Sequence, residues 1–370
     1  MKLQRYLVVA VVLFVVVGFL QSCKKDKEED PSPVSGSSGP TPYVHQAPAW
    51  LLDSTGHAIE YPADNPMTNE GIALGRKLFY ETALSDDYSM SCASCHRQEN
   101  AFNDIRQFSV GTDGSVGTRQ AMSTFNLLWD DFLFWDGRAP SIEAQAFGPV
   151  TNPVEMRNTW PTVESRLRGD ANYPALFEQA FGSPGIDSVR IVKAIAQFER
   201  TMLSFNSRFD RFRYEGDITA LTMQEQNGYR IFKREAHCVD CHMEPLFVSH
   251  GLRNNGLDLV PVDLGFGGVS GSPSHNGLFK VTTLRNIEVT PPYMHDGRFA
   301  TLEEVVDFYV DGVQLNSPNL DDHMLPWSLV PNGALGTLPL SPQDRADLVA
   351  FMKTLTDQEF LTAPEFSDPN

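Results

Sequence analysis

The fold is decided by two short segments, Cys92-Ala93-Ser94-Cys95-His96 and Cys238-Val239-Asp240-Cys241-His242. Both have the spacing Cys-x-x-Cys-His, which is the attachment sequence for c-type haem. Two thiols on one turn of chain can bond to the two vinyl groups of a porphyrin, while the adjacent imidazole binds the iron. The sequence therefore predicts two covalently bound haem c groups, with His96 and His242 as iron ligands.

Two other kinds of site use similar cysteine spacing, a thioredoxin-like redox pair and a zinc site. The redox pair needs flanking strands, for which the sequence shows no pattern. A four-cysteine zinc site would leave both motif histidines unused. Haem attachment is the interpretation that uses every residue of both motifs.

The composition is that of a globular protein without nucleic-acid affinity. The chain has 370 residues, of which 41% are hydrophobic and 21% charged, and this excludes wholesale disorder. It carries 29 Lys and Arg against 47 Asp and Glu, a formal charge of −18. Binding to nucleic acid requires clustered basic residues to neutralise phosphate, so the acidic balance argues against it.

The N-terminus has the pattern of an export signal. Residues 1–22 begin with Lys2 and Arg5 and continue with an apolar run that is short for a membrane-spanning helix. The segment ends in Leu-Gln-Ser before Cys23, which resembles a bacterial lipoprotein box and predicts lipidation of Cys23. The alternative is an ordinary signal peptide. We expect a protein of the cell envelope that faces the periplasm and contacts a membrane through its lipid anchor only.

The rest of the chain divides into a tether and two similar halves. Residues 23–60 are rich in charge, Pro, Ser and Gly, which predicts a disordered tether. Before each haem motif a Gly and a Phe stand four apart, and amphipathic patterns at 191–203 and 344–355 close each half. The prediction is an all-α fold with two cytochrome c-like domains, residues 61–215 and 216–370.

Longer segments of the chain resemble bacterial dihaem cytochrome c peroxidases, and more closely their MauG-like branch. The resemblance covers residues 61–358 and is carried by segments 73–96, 134–156, 207–212 and 283–309. It implies a peroxidatic first domain and an electron-transfer second domain.

The resemblance also implies roles around the first haem. Glu155 matches the carboxylate that moves a proton between the two oxygens of peroxide, and Gln145 the amide that orients the ligand. Pro149 matches a residue that lines this pocket. Trp135 matches a tryptophan that lies between the haems and relays electrons.

A distal histidine that caps the first iron in many family members is missing here. No histidine occurs between His96 and His237. We therefore expect an open iron that reacts with peroxide without reductive activation. Met122 and Met156 are the alternative ligands.

The resemblance implies a ligand for the second iron and a calcium ion between the haems. Tyr309 stands where MauG-like proteins have a tyrosine ligand, and Met324 is the competing candidate. A phenolate ligand favours ferric and higher oxidation states, whereas a thioether favours ferrous iron. Gln120 stands where family members have an Asn that binds calcium. Thr282 stands where they have a Pro near the carbonyl ligands of this ion.

The function implied by the resemblance is reduction of hydrogen peroxide to water, through a ferryl intermediate shared between two haems. The electrons would come from a small donor protein, a cytochrome c or a cupredoxin. One alternative is a MauG-type oxidase that acts on residues of a partner protein, although Ala236 replaces the exit-route tryptophan of such proteins. A dihaem electron carrier is the other alternative. A homodimer, as in many relatives, stays open.

Overall fold

The structure is a computed structural model that describes residues 39–55, 59–325 and 340–370. It is largely helical, which confirms the main feature of the predicted fold class. The α-helices are α1 Ala49–Thr55, α2 Asn69–Phe79, α3 Ile142–Thr151, α4 Trp160–Gly169, α5 Tyr173–Phe181, α6 Ser188–Thr201, α7 Arg208–Tyr214, α8 Met223–Arg234, α9 Phe266–Ser270, α10 Leu302–Asp307 and α11 Pro342–Lys353. The predicted signal segment and Cys23 lie outside the described residues. Within those residues, none of the helices has the length and apolarity needed to cross a membrane.

One strand pair departs from the all-α prediction. The two-residue strands β1 (Leu252–Arg253) and β2 (Phe279–Lys280) pair antiparallel. The backbone N–H of Lys280 donates to the carbonyl of Trp135 at 2.8 Å. The strand pair therefore joins the second half of the chain to the Trp135 loop of the first half.

Two helix pairs, α2 with α6 and α8 with α11, repeat one packing arrangement. A Cβ added at Gly75 would lie 1.9 Å from the carbonyl oxygen of Ala194, and a Cβ at Gly228 would lie 1.9 Å from that of Asp347. Only glycine allows the helices to approach this closely. The prediction that each glycine lies on a packed helix face is confirmed.

The two closing helices begin slightly earlier than their apolar patterns. The side chain of Asp187 caps α6, and Ser341 caps α11 in a capping box with Asp344. These side chains accept hydrogen bonds from backbone N–H groups that have no partner within the helix. Apolar periodicity does not report such polar first turns, so the predicted starts at 191 and 344 are late.

The buried side chains form two main cores that follow the two helix pairs. The first surrounds α2 and α6, and the second surrounds α8 and α11. Phe360 and Phe366, near the C-terminus, nevertheless pack against Phe102 in the first core. The domain boundary at residue 216 stays a prediction. The C-terminal end of the chain, which follows this boundary in sequence, packs against the core of the first half.

The tether prediction is wrong for its second half. Residues 49–55 form α1, Leu51 is fully buried, and the Trp50 ring stacks on that of Tyr214 with centroids 4.0 Å apart. The backbone N–H and hydroxyl of Thr41 donate to the carboxylate of Glu70. Apolar side chains at 49–52 give this segment enough surface to bury, despite the polar residues before it. Residues 23–38 lie outside the described residues.

Candidate active site

Each Cys-x-x-Cys-His motif forms a single tight turn that leaves one imidazole nitrogen available. The turns begin at Cys92 and Cys238. The Nδ1 atom of His96 bonds to the carbonyl of Phe102 at 2.9 Å, and Nδ1 of His242 bonds to that of Phe247 at 3.2 Å. A metal-binding histidine commonly donates its second N–H to a carbonyl in this way, which orients the ring and leaves Nε2 for the metal.

The protonation states of the motif residues suit haem attachment. Burial lowers the pKa of His96, and lowers that of His242 to about 4, so both imidazoles are neutral as iron ligands must be. Burial raises the pKa of all four motif thiols, and none of them forms a disulfide. Both motifs therefore fit a covalently attached haem, with paired thiols and a preoriented imidazole on one turn.

A cavity of about 300 Å³ lies beside the first motif. Several residues that the resemblance singled out line this cavity together with the motif. The cavity wall includes Cys92, Cys95, His96, Gln120, Met122, Trp135, Gln145, Pro149, Glu155, Met156 and Glu199. The structure thus brings the predicted peroxidatic residues to one place, although they are spread over more than sixty positions of the sequence.

Helix α3 positions Gln145 and Pro149 on the cavity wall. The hydroxyl of Ser141 caps the helix by accepting from the N–H of Ala144 at 3.1 Å. Gln145 and Pro149 are four residues apart, so they lie one above the other on the same helix face. The helix ends at Thr151, and the turn that follows carries Glu155 to the same cavity.

Glu155 is half-buried and bonded to one neighbouring amide. Its Oε1 atom accepts a hydrogen bond from Nδ2 of Asn152 at 2.7 Å. Burial raises the pKa of Glu155, while the Asn152 bond and the charge of Arg138 act in the opposite direction. The carboxyl is therefore easier to protonate than an exposed glutamate, which suits a group that accepts and returns a proton.

Trp135 joins the cavity to the second half of the chain. Its Nε1 donates to the carbonyl of Gln120 at 2.8 Å, and its ring meets the ring of His295 edge-on with centroids 6.4 Å apart. The His295 ring in turn stacks on Phe279 of β2, with centroids 3.9 Å apart. The position of Trp135 between two haems and its role as an electron relay both stay predictions.

Met122 and Met156 both line the cavity, so the structure keeps both as alternatives to an open first iron. The expectation of an open iron remains a prediction.

The region of Tyr309 has an unusual backbone. The capping box of Thr301 and Glu304 starts α10, and the helix then widens into a π-helical turn at Phe308–Gly312 that contains Tyr309. Turns of this kind are frequent at functional sites. Burial raises the pKa of Tyr309 to about 12. Met324, the competing ligand, is also buried, and residues 326–339 beyond it lie outside the described residues.

Sequence reasoning missed Asn255, which contacts Tyr309, and Met294, which contacts Asn255. The amide nitrogen of Asn255 donates to the Tyr309 hydroxyl at 3.3 Å and lies 3.6 Å from the sulfur of Met294. Asn255 carries no sequence signal. Met294 stands in the segment Tyr293–Arg298 that the resemblance includes, and a thioether is an iron ligand type, so it could have been considered.

The calcium residues do not fit the expected ligand set. The Gln120 amide nitrogen donates to the side-chain oxygen of Asn103 at 2.8 Å and to the carbonyl of Asp104 at 3.0 Å. The backbone of Thr282 bonds to His242 instead. A calcium ion requires several oxygen atoms that point to one place. Here the N–H donors of Gln120 point at the oxygens of Asn103 and Asp104.

Comparison with known proteins places this geometry in context. A family model described as di-haem cytochrome c peroxidase matches residues 69–219. The chain is 35% identical to methylamine utilization protein MauG of Methylorubrum extorquens, over 83% of this chain and 84% of the relative. It is 34% identical to cytochrome c551 peroxidase of Nitrosomonas europaea, over 83% and 85% of the two chains.

Solved structures show the same relationship. The fold is similar to that of a MauG-like protein associated with microbial copper homeostasis, with a TM-score of 0.77 and 34% identity over 88% of this chain and 99% of the other. The diheme peroxidase BthA from Burkholderia thailandensis shares the fold at a TM-score of 0.68 and 23% identity, over 82% of this chain and 90% of the other.

Proposed function

The chain belongs to the MauG-like family of dihaem cytochrome c peroxidases, an oxidoreductase family, and we propose that it reduces hydrogen peroxide to water in the cavity beside His96. The two motifs supply attachment for two haem c groups, one in each half of the chain. The observation that carries the proposal is the meeting of His96, Gln145 and Glu155 at one cavity.

The residues around the cavity have distinct tasks. Cys92, Cys95 and His96 would hold the haem, which would supply the electrons for cleavage of the O–O bond. The Glu155 carboxylate takes the proton from one oxygen of peroxide and returns it to the other, which then departs as water. Its raised pKa makes the carboxylate a stronger base for the first half of this transfer. The Gln145 amide donates a hydrogen bond that orients peroxide.

Electrons reach the cavity from the second half of the chain. Trp135 is the relay, because its indole lines the cavity and also contacts His295 of the second half. Tyr309 would be a ligand of the second iron, and a phenolate ligand would favour its oxidised states. The donor is a small cytochrome c or cupredoxin, and the acidic charge of −18 favours a donor with a basic face.

The N-terminal pattern supports export. Residues 1–22 would direct the chain to the cell envelope, with the folded part facing the periplasm, and Cys23 would hold it to a membrane through a lipid anchor.

A MauG-type oxidation of a partner protein is the second candidate, favoured by the identity to proteins named MauG. Ala236 counts against it, because this buried methyl group replaces the aromatic residue expected on an exit route. A dihaem electron carrier would not require a carboxyl, such as that of Glu155, at the cavity beside the first iron ligand His96.

Steady-state assay of the holoprotein with peroxide and a reduced small cytochrome c tests the proposal. We expect two donor molecules to be oxidised for each peroxide consumed. Oxidation of the holoprotein by peroxide without donor turnover would favour the oxidase, and no reaction with peroxide would exclude both.

A further inference from the structure

The carboxyl of Glu199 faces the same cavity as that of Glu155. Glu199 lies near the end of α6 and is only 4% exposed. It lines the cavity together with Glu155 and the first motif. Its Oε2 atom is buried and has no hydrogen-bond partner within the described part of the chain.

Burying an ionised carboxyl without a partner reduces the free energy of unfolding, so such a group is expected to be protonated or to have a catalytic role. The adjacent Arg200 does not satisfy Glu199, since its guanidinium is paired with Glu143 of α3 at 2.7 and 2.9 Å. Burial raises the pKa of Glu199 to about 8, Arg200 lowers it and Glu143 raises it. At neutral pH the side chain is therefore mostly a neutral acid.

The other groups around Glu199 leave this state in place. Helix α2 packs on α6 through two glycines, with Gly71 against Gln197 and Gly75 against Ala194 and Phe198, which are all uncharged residues. The cations of the cavity wall are already paired: Lys280 bonds to Asp130, Arg138 bonds to Asp136, and Arg119 bonds to both Asp136 and Asp263. The other titratable side chains at the wall are Glu155 and the motif residues Cys92, Cys95 and His96.

The proposed reaction creates a need for such an acid. Reduction of one peroxide to two waters consumes two electrons and two protons. Glu155 passes a proton from one oxygen to the other, so it supplies none in net. The donor protein provides the electrons, and the protons must come from elsewhere.

We propose that Glu199 is a proton-supplying acid of this cavity and delivers one of the two protons consumed in peroxide reduction. This inference rests on the proposed function. In the step, the O–H bond of Glu199 breaks and its proton joins a peroxide-derived oxygen, directly or through one water. The carboxylate left behind recovers a proton from solvent before the next turnover.

Three variants of the holoprotein test the inference. Glu199→Gln keeps the shape but cannot release a proton, and Glu199→Asp keeps the acid. Glu178→Gln, at an exposed position on α5, is the matched control. The first measurement is infrared spectroscopy of the resting protein at neutral pH, which detects the C=O stretch of a protonated carboxyl without any turnover. The second is the pH profile of peroxide reduction.

We expect one carboxyl band to vanish in Glu199→Gln and to persist in Glu178→Gln. The wild-type rate should fall as pH rises through about 8, because the acid is lost there. Glu199→Gln should be slower by about 100-fold and lack this limb, and Glu199→Asp should recover part of the rate.

Two results would overturn the inference: an unchanged band in Glu199→Gln, or a Glu199→Gln pH profile and rate equal to wild type. A wild-type protein that does not reduce peroxide would instead overturn the proposed function and proton delivery with it, and a Glu199 band would then establish only that the acid is protonated.

Discussion

The amide of Asn152 donates to the carboxylate of Glu155 at 2.7 Å, and this bond opposes the effect of burial on the Glu155 pKa. The Asn152 side chain is itself fixed, because its oxygen accepts from the N–H of Val154 at 3.1 Å. The turn after α3 therefore presents a carboxyl that Asn152 holds in position and whose proton affinity Asn152 lowers against the larger effect of burial.

Replacing Glu155 by Gln should slow the reaction with peroxide by about 10²–10⁴-fold, since the amide cannot carry the proton between the oxygens. Rapid mixing of the holoprotein with peroxide measures this rate. Glu178→Gln on the exposed face of α5 should react as wild type does. A normal rate in Glu155→Gln would remove this residue from the mechanism.

Replacing Asn152 by Ala should move the pH dependence of the same reaction. The base form of Glu155 is required, so the rate falls as pH decreases through the pKa of Glu155. Loss of the Asn152 bond raises this pKa further, and the fall should begin at a higher pH than in wild type. A profile that stays in place, or moves to lower pH, would show that Asn152 does not tune Glu155.

Replacing Tyr309 by Phe should change the low-spin signal of the second haem in electron paramagnetic resonance spectra, because the phenol oxygen is lost as a ligand. Met324→Leu is the matched variant for the competing ligand and should leave the signal as it is. The reverse pattern would assign Met324 as the ligand.

Treatment of the holoprotein with a calcium chelator should leave its spectra and its peroxide reduction unchanged. The reason is that the Gln120 amide nitrogen is directed at the oxygens of Asn103 and Asp104, where a calcium ion would need an oxygen ligand instead of a donor. Loss of activity that added calcium restores would contradict this interpretation of Gln120.

Replacing Gly75 or Gly228 by Ala should destabilise the fold by about 1–3 kcal/mol, because the added methyl group meets a backbone carbonyl of the facing helix. Chemical denaturation of the holoprotein gives the free energy of unfolding. Gly169→Ala in α4 has open space around it and should change this free energy by no more than about 1 kcal/mol. Equal effects in all three variants would mean that close helix approach is not what selects glycine.

The sequence was sufficient for the features that depend on local patterns. These features are the motif turns, the glycines of the helix pairs and the closing helices. Each of them depends on residues that are close together in the sequence. Residues 49–55 were misassigned because the polar segment before them dominated the composition, whereas the burial of Leu51 depends on partners far along the chain.

The site could be predicted only in part, and largely through resemblance. Glu155 is one acid among many by composition, and its family segment singled it out. Asn255 and Glu199 lie outside the segments that carry the resemblance, and only the folded structure shows which groups they face. Within the part of the chain that the structure describes, Oε2 of Glu199 has no hydrogen-bond partner, and this property of the folded cavity leaves no mark on the sequence.

The central claim is that peroxide reacts at the cavity beside His96 and that a donor protein then restores the resting state. The most direct test is stopped-flow mixing of the resting ferric holoprotein with one equivalent of peroxide, followed by a reduced small cytochrome c. We predict rapid spectral oxidation without prior reduction, and then return to the resting spectrum as two donor molecules are oxidised. A resting protein that does not react with peroxide would contradict the account.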